Sequence, residues 1–203
     1  MKQTIELRNL RTRNNSPEIK YYIKTFGCQM NEYDSEKISG LLESDGMEKV
    51  EDYENADIFF INTCTIRENA DNKLYGTLGE LKKWKNAQSN RKLIVGGCAS
   101  QKDKDLVREK APWVDVVLGT NNIGNLLNLI QYSNEKGPIT EIKENFTDSF
   151  SDIESVHNSS TTGMLTIQIG CNNNCTFCIV PTVRGNEKSR RPLEIFDDAI
   201  NLS

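Results

Sequence analysis

Four short, mostly apolar runs, each followed by a stretch of helical periodicity, constrain the fold of this chain more than any other feature. The runs predict strands over Lys20 to Phe26, Asp57 to Asn62, Lys92 to Val95 and Val114 to Leu118. The predicted helices lie over Asn31 to Asp45, Thr65 to Ala87, Gln101 to Lys110 and Ile123 to Tyr132. Apolar strands that alternate with helices are typical of a parallel sheet covered on both faces. The pattern therefore predicts an α/β fold.

A change of composition divides the chain into two parts. Residues 144–162 are rich in Ser, Thr, Asn and Asp, which predicts a linker after an α/β domain over residues 20–143. A further strand, Met164 to Ile169, then leads into a cysteine-rich loop, and a helix is predicted from Pro192. Residues 163–203 are therefore predicted to be the start of a second domain.

The polarity of the chain argues against a membrane protein. Hydrophobic residues make up 36% of the 203 residues, and no apolar run approaches the roughly 20 residues that a spanning helix needs. Residues 1–19 lack the apolar core of a secretory signal and are predicted to be a disordered leader. We therefore expect a cytoplasmic protein. Its net charge of −4 offers no overall attraction to nucleic acid, so an RNA contact would need a local basic patch.

Six cysteines and a single histidine, His157, indicate which binding chemistry is available. In a reducing compartment, clustered cysteines more often bind metal or take part in redox reactions than form disulfides. One histidine argues against a histidine-rich zinc or iron site. Sulfur is therefore the predicted ligand type.

Three of the cysteines lie at the ends of predicted strands. YYIKTFG precedes Cys28, DIFFINT precedes Cys64 and KLIVGG precedes Cys98. Because the carboxyl ends of parallel strands meet at one edge of a sheet, these thiols are expected to lie together there. Three thiolates that held a [4Fe–4S] cluster would leave one iron open to a sulfur species or a substrate. The alternative is that they are ordinary buried cysteines, which behave as small apolar side chains.

The residues beside these cysteines allow two interpretations. Gly27, Gly96 and Gly97 permit a close approach of the backbone, as a crowded cluster would require, or they simply end their strands. Four polar side chains beside Cys28 and Cys64 could donate hydrogen bonds to sulfur or cap the next helix, namely Gln29, Asn31, Asn62 and Thr63. The sequence leaves both interpretations open.

A second set of three cysteines, Cys171, Cys175 and Cys178, forms a C-x3-C-x2-C loop. Such close spacing predicts a single site. Three thiolates suit a [4Fe–4S] cluster with one open iron better than a structural zinc ion, which takes four protein ligands. Zinc with His157 as a distant fourth ligand and a disulfide are the alternatives.

This spacing, with Phe177 directly before the last cysteine, resembles the radical S-adenosylmethionine superfamily. The resemblance implies that Cys171, Cys175 and Cys178 ligate the cluster, whose open iron binds S-adenosylmethionine for reductive cleavage. It also implies that Phe177 shields the cluster and the adenine, although a place in the core would explain this residue equally well. The strand before the loop and the helix after it match the first βα unit of an incomplete radical S-adenosylmethionine partial TIM barrel.

Longer segments are similar to a narrower family, the methylthiotransferases. The segments are TFGCQMNEYDSE at Thr25 to Glu36, NTCTIRENADNKLYGTLGELK at Asn62 to Lys82, VGGCASQ at Val95 to Gln101 and CTFCIVPTVRGNEKSR at Cys175 to Arg190. The Gln29-Met30-Asn31 triplet and the stretch from Ile66 to Asn69 are most similar to the branch that modifies tRNA. In this family an N-terminal α/β domain carries three cysteines for an auxiliary cluster, a role that falls on Cys28, Cys64 and Cys98.

The resemblance implies an enzyme that adds a methylthio group to C-2 of N(6)-isopentenyladenosine at position 37 of tRNA, next to the anticodon. It implies two [4Fe–4S] clusters and S-adenosylmethionine as cofactors. The tRNA anticodon stem-loop is the implied substrate and reduced flavodoxin or ferredoxin the electron donor, while the sulfur donor stays open. The full-length enzyme is expected to be a monomer. An unactivated aromatic C–H has no acid–base route to this substitution at neutral pH, so the chemistry must come from the cofactors.

Four basic residues lie close to the second cysteine set: Arg184, Lys188, Arg190 and Arg191. We predict that they contact phosphates of the anticodon stem-loop, because phosphate contacts dominate the affinity of proteins for RNA. Two glutamates lie among them, so a solvated, charge-balanced loop is the alternative.

The chain departs from the family in two ways. Thr182 follows Pro181 where a tyrosine is expected, and the further strands of the radical domain and its RNA-binding β-domain do not occur within these 203 residues. The second domain is therefore expected to be an incomplete barrel with an unpaired strand edge, prone to self-association. The chain alone is expected not to turn over.

Other functions fit the same cysteines. Related methylthiotransferases act on threonylcarbamoyladenosine in tRNA or on a ribosomal protein, and the Gln29-Met30-Asn31 triplet argues against both. A non-catalytic iron–sulfur protein that carries electrons or holds sulfur is the alternative outside the enzymes.

Overall fold

The computed structural model describes residues 18–65, 70–143 and 162–202. The predicted leader lies almost entirely outside the described residues, as do His157 and nearly all of the predicted linker. The predictions made for those segments therefore stay predictions.

Eight strands and seven α-helices make up the described residues. The strands are β1 (Lys20–Phe26), β2 (Glu48–Lys49), β3 (Ile58–Thr63), β4 (Lys92–Gly97), β5 (Val116–Leu118), β6 (Ile139–Glu141), β7 (Gln168–Ile169) and β8 (Lys188–Ser189). The helices are α1 (Gln29–Ser44), α2 (Ala70–Ala87), α3 (Cys98–Asp103), α4 (Leu106–Lys110), α5 (Leu126–Lys136), α6 (Val180–Arg184) and α7 (Pro192–Asn201). Short 3-10 helices cover Tyr53–Asn55 and Thr120–Asn125.

Strands β1 to β6 form one parallel sheet in the order β2-β1-β3-β4-β5-β6. All six residues of β3 are buried. Because successive residues of a strand face opposite sides of the sheet, Phe59 and Ile61 share a core with α2, and Phe60 shares the opposite core with α1 and α5. The predicted α/β class with a parallel sheet covered on both faces is confirmed.

Four of the six parallel strands follow the sequence prediction closely, whereas the edge strands β2 and β6 escape it. They have two and three residues, too few to produce a periodic pattern. The helix predicted over Gln101 to Lys110 is instead two helices, of which α3 begins earlier, at Cys98. Lys104 separates them because its φ of 50° is not helical. The helix predicted from Thr65 is described from Ala70 onward, and residues 66–69 lie outside the described part.

The second part of the chain packs against the carboxyl edge of the sheet. The strand predicted over Met164 to Ile169 is confined to β7, because its antiparallel partner β8 has only two residues. Helix α6 contacts α3 and the 3-10 helix Thr120–Asn125. Val183 of α6 is fully buried, and its carbonyl accepts a hydrogen bond of 2.7 Å from the Thr120 hydroxyl. None of the described helices combines the length and apolarity needed to cross a membrane.

Candidate functional site

The first three cysteines lie at the carboxyl ends of three neighbouring strands. Cys64 and Cys98 directly follow β3 and β4, and Cys28 comes two residues after β1. The register aligns the last residues of these strands with one another, and the Cys64 N–H donates to the Phe26 carbonyl at 2.7 Å. Since neighbouring strands are about 4.8 Å apart, the three cysteines follow one another along a single edge.

Burial differs among these cysteines. Cys64 and Cys98 are 1% and 2% exposed, whereas Cys28 is only half-buried. None of the six cysteines, all of which the structure describes, forms a disulfide. The first set therefore has two thiols shielded from water and one nearer to it.

The donor chemistry of this edge fits a [4Fe–4S] cluster, which is held by cysteine thiolates. Within the described ranges, however, no three cysteine, histidine, aspartate or glutamate side chains lie close enough together to enclose a metal ion as they stand. The fit thus rests on the type of donor and on the common edge.

Asn31 and Asn62 connect the first turn of α1 to the end of β3. Asn31 Oδ1 accepts a hydrogen bond from the Cys28 N–H at 3.3 Å, which is the capping role, and the Cys28 thiol also points to it at 3.5 Å. Asn31 Nδ2 donates to Asn62 Oδ1 at 3.1 Å, and Asn62 Nδ2 donates to the Asn31 carbonyl and to Ser35 Oγ. Asn31 therefore caps α1, and its hydrogen bonds with Asn62 link α1 to the end of β3.

The glycines beside the cysteines allow close packing by protein atoms. A Cβ added at Gly27 would lie 2.3 Å from Asn31 Oδ1, and one added at Gly96 would meet the Phe60 ring. The backbone at these glycines therefore packs closely against side chains of the protein itself, Asn31 at Gly27 and Phe60 at Gly96.

Arg184 lies in this site, although its place in the sequence predicted a contact with RNA phosphates. Its Nε donates to Cys98 Sγ at 3.2 Å, and its Nη2 lies 2.6 Å from Asp34 Oδ2. Burial raises the pKa of the Cys98 thiol above its ordinary value, while Arg184 acts in the opposite direction. Burial acts to lower the pKa of Arg184, but Asp34 and Cys98 outweigh it and raise the pKa, so the guanidinium stays charged. No local pattern signals this contact, since 86 residues separate Arg184 from Cys98.

The four basic residues predicted to contact RNA do not form one exposed patch. Arg184 is 6% exposed, and Arg190 is mostly buried with Asp198 Oδ2 at 2.7 Å from its Nη1. We withdraw these two from the predicted phosphate contacts, because internal carboxylates already pair with them. Lys188 and Arg191 are exposed and keep that prediction.

The second cysteine set lies in a loop between β7 and α6. Gly170 precedes it with a φ of 77°, and a Cβ there would meet the Asn186 carbonyl oxygen at 2.2 Å. The Cys171 sulfur accepts hydrogen bonds of 3.4 Å from the backbone N–H and the side chain of Asn173. Cys175 and Cys178 are exposed.

Phe177 is 97% exposed. The interpretation of this residue as part of the core is therefore wrong. Its predicted place beside a cluster and an adenine stays a prediction.

Comparison with known proteins bears on both cysteine sets. The uncharacterized protein family UPF0004 matches residues 20–119, the stretch with β1 to β5 and the first three cysteines. Residues 20–119 therefore form a UPF0004 domain.

Three curated relatives of this chain share one name. The tRNA-2-methylthio-N(6)-dimethylallyladenosine synthase of Mycolicibacterium smegmatis is 45% identical over 202 residues, which cover 98% of this chain and 40% of that enzyme. The synthase of the same name from Nocardia farcinica is 50% identical over 177 residues, 86% of this chain and 35% of the enzyme. The one from Corynebacterium urealyticum is 48% identical over 86% of this chain and 33% of the enzyme.

The chain thus spans about two fifths or less of the length of these relatives. The alignment with the Mycolicibacterium smegmatis enzyme includes the second cysteine set, because it takes in nearly the whole chain. The predicted resemblance to the tRNA-modifying branch of the methylthiotransferases is confirmed.

Proposed function

We propose that this chain is the cluster-bearing part of a tRNA methylthiotransferase that acts on C-2 of N(6)-isopentenyladenosine at position 37. The names of the relatives give the product, 2-methylthio-N(6)-dimethylallyladenosine in tRNA, and the resemblance implies position 37. The proposal includes two [4Fe–4S] clusters, S-adenosylmethionine, a tRNA anticodon stem-loop as substrate and reduced flavodoxin or ferredoxin as electron donor, in the cytoplasm.

The contact between the two cysteine segments is the observation that carries this proposal. Cys98 belongs to the first set, and Arg184, which donates to its sulfur, follows Cys178 of the second set by six residues. Each set offers three cysteines that form no disulfide. Two such sites on adjoining segments suit an enzyme that stores sulfur at one site and activates a cofactor at the other.

The two cysteine sets would have different roles, because their thiols differ in burial. Cys28, Cys64 and Cys98 would hold the first cluster, and Cys171, Cys175 and Cys178 the second. When bound, the first cluster would hold the sulfur to be transferred, and the second would supply the electron that cleaves S-adenosylmethionine. Water has little access to the first site, because Cys64 and Cys98 are buried. Exposed Cys175, Cys178 and Phe177 leave the second site open to cofactor and substrate.

Anaerobic reconstitution followed by iron and sulfide counting tests the two-site proposal. We expect about eight irons per chain, the sum of two [4Fe–4S] clusters, and about four in either triple variant. The variants are Cys28→Ala/Cys64→Ala/Cys98→Ala and Cys171→Ala/Cys175→Ala/Cys178→Ala. Circular dichroism of the iron-free proteins serves as the folding control.

About four irons in the unchanged chain, falling to none when the second set is replaced, would contradict the proposal, because the first three cysteines would then be structural thiols. Addition of S-adenosylmethionine to the reduced protein should also change its electron paramagnetic resonance spectrum. A non-catalytic electron carrier would show no such change.

A further inference from the structure

Arg184 joins three groups that come from distant parts of the chain. Its Nε donates to Cys98 Sγ at 3.2 Å and its Nη2 lies 2.6 Å from Asp34 Oδ2. Arg184 is 6% exposed, Asp34 1% and Cys98 2%. Interactions between charges are strong in such a site, because bulk water does not screen them.

One feature separates this arrangement from an ion pair that merely docks a helix. Asp34 alone balances the guanidinium charge, so the contact of Nε with sulfur is not needed for neutrality. The guanidinium instead places a buried positive charge and an N–H donor directly beside the Cys98 sulfur.

We propose that Arg184 is a positioning residue for the first cysteine site, which fixes the Cys98 sulfur by its Nε–H bond and raises the reduction potential of the cluster held there. This inference rests on the proposed function. It means that the segment with the second cysteine set adjusts a property of the first site.

The direction of the effect follows from charge. A cluster held by three thiolates gains one further negative charge on reduction, and the potential of such clusters depends on nearby charge and on hydrogen bonds to sulfur. A fixed cation that donates to Cys98 stabilises the reduced state more than the oxidised state. Loss of Arg184 should therefore make the first cluster harder to reduce.

The experiment measures the reduction potential of the first cluster alone. The parent protein is the full chain with Cys171, Cys175 and Cys178 replaced by alanine, reconstituted anaerobically and titrated by electron paramagnetic resonance. We expect Arg184→Gln to shift the potential to more negative values, and Arg184→Lys to shift it less because the charge is kept.

Asp34→Asn distinguishes an electrostatic role from a structural one. This variant leaves the guanidinium charge uncompensated, so the potential should move to more positive values, opposite to Arg184→Gln. A residue that only docked α6 would loosen the site in both variants and shift the potential in the same direction. If Arg184→Gln does not fold, Arg184→Lys and Asp34→Asn still decide the question.

Arg190→Gln is the matched control, since it removes a partly buried arginine and its ion pair with Asp198 from the same segment. It should leave the potential of the first cluster unchanged. A loaded Arg184→Gln protein with the potential of the parent would overturn the inference and leave the proposed function intact. A parent that binds no iron would overturn both.

Discussion

Gly97 occupies the turn between β4 and α3, directly before Cys98, and two constraints act on it together. Its φ of 94° lies in the region that glycine adopts readily and other residues rarely do. A Cβ at this position would lie 2.4 Å from Asn62 Oδ1 and 2.5 Å from the Thr63 carbonyl oxygen. This glycine therefore allows the first cysteine edge to pack against the strand beside it.

Replacement of Gly97 by alanine should cost more stability than the same change at Gly137. Gly137 has a similar φ of 90°, but no atom of the described residues beyond its two chain neighbours lies within 4 Å of an added Cβ. Backbone strain costs about 1–3 kcal/mol at either position. Gly97→Ala should lose about 1–3 kcal/mol more through overpacking. The free energy of unfolding in urea measures the difference, and equal losses would show that Asn62 and Thr63 move aside.

Helix α6 has only five residues, so its position depends on what holds it from outside. The Thr120 hydroxyl donates to the carbonyl of buried Val183, and Arg184 pairs with Asp34 of α1. These contacts come from two different elements of the first domain. They hold the segment with the second cysteine set against the edge with the first.

Thr120→Val should destabilise the protein, because it leaves the buried Val183 carbonyl without its donor. The expected loss is about 1–3 kcal/mol in the free energy of unfolding. Thr140→Val is the matched control, since the buried Thr140 hydroxyl has no hydrogen-bond partner among the described residues. It should be neutral or slightly stabilising. Equal effects of the two changes would mean that the Thr120 contact contributes nothing to docking.

At the scale of the whole molecule, the proposed RNA contact should depend on Lys188 and Arg191. The measurement is the slope of the logarithm of the association constant for an anticodon stem-loop against the logarithm of the salt concentration. Replacing both residues by glutamine should reduce the magnitude of this slope by about 0.7 to 0.9 for each phosphate that the variant no longer neutralises. Lys73→Gln, an exposed lysine of α2, should leave the slope unchanged. A slope that stays the same in the double variant would exclude these two side chains as phosphate contacts.

Several parts of the site could be predicted from the sequence, because they depend on neighbours along the chain. The apolar runs predict β1, β3, β4 and β5 within a few residues, since burial on both faces demands apolar side chains along a whole strand. Parallel topology then brings Cys28, Cys64 and Cys98 to one edge. The edge strands β2 and β6 are too short for such a signal.

The sequence by itself determined the class of fold, the type of donor and the edge where the first three cysteines lie. Only the tertiary structure decided which partners those residues have. Asn31 pairs with Asn62, and Arg184 turns away from solvent to Asp34 and Cys98. The physical reason is that periodicity records burial within one element, whereas a contact across 86 residues depends on how separate elements dock.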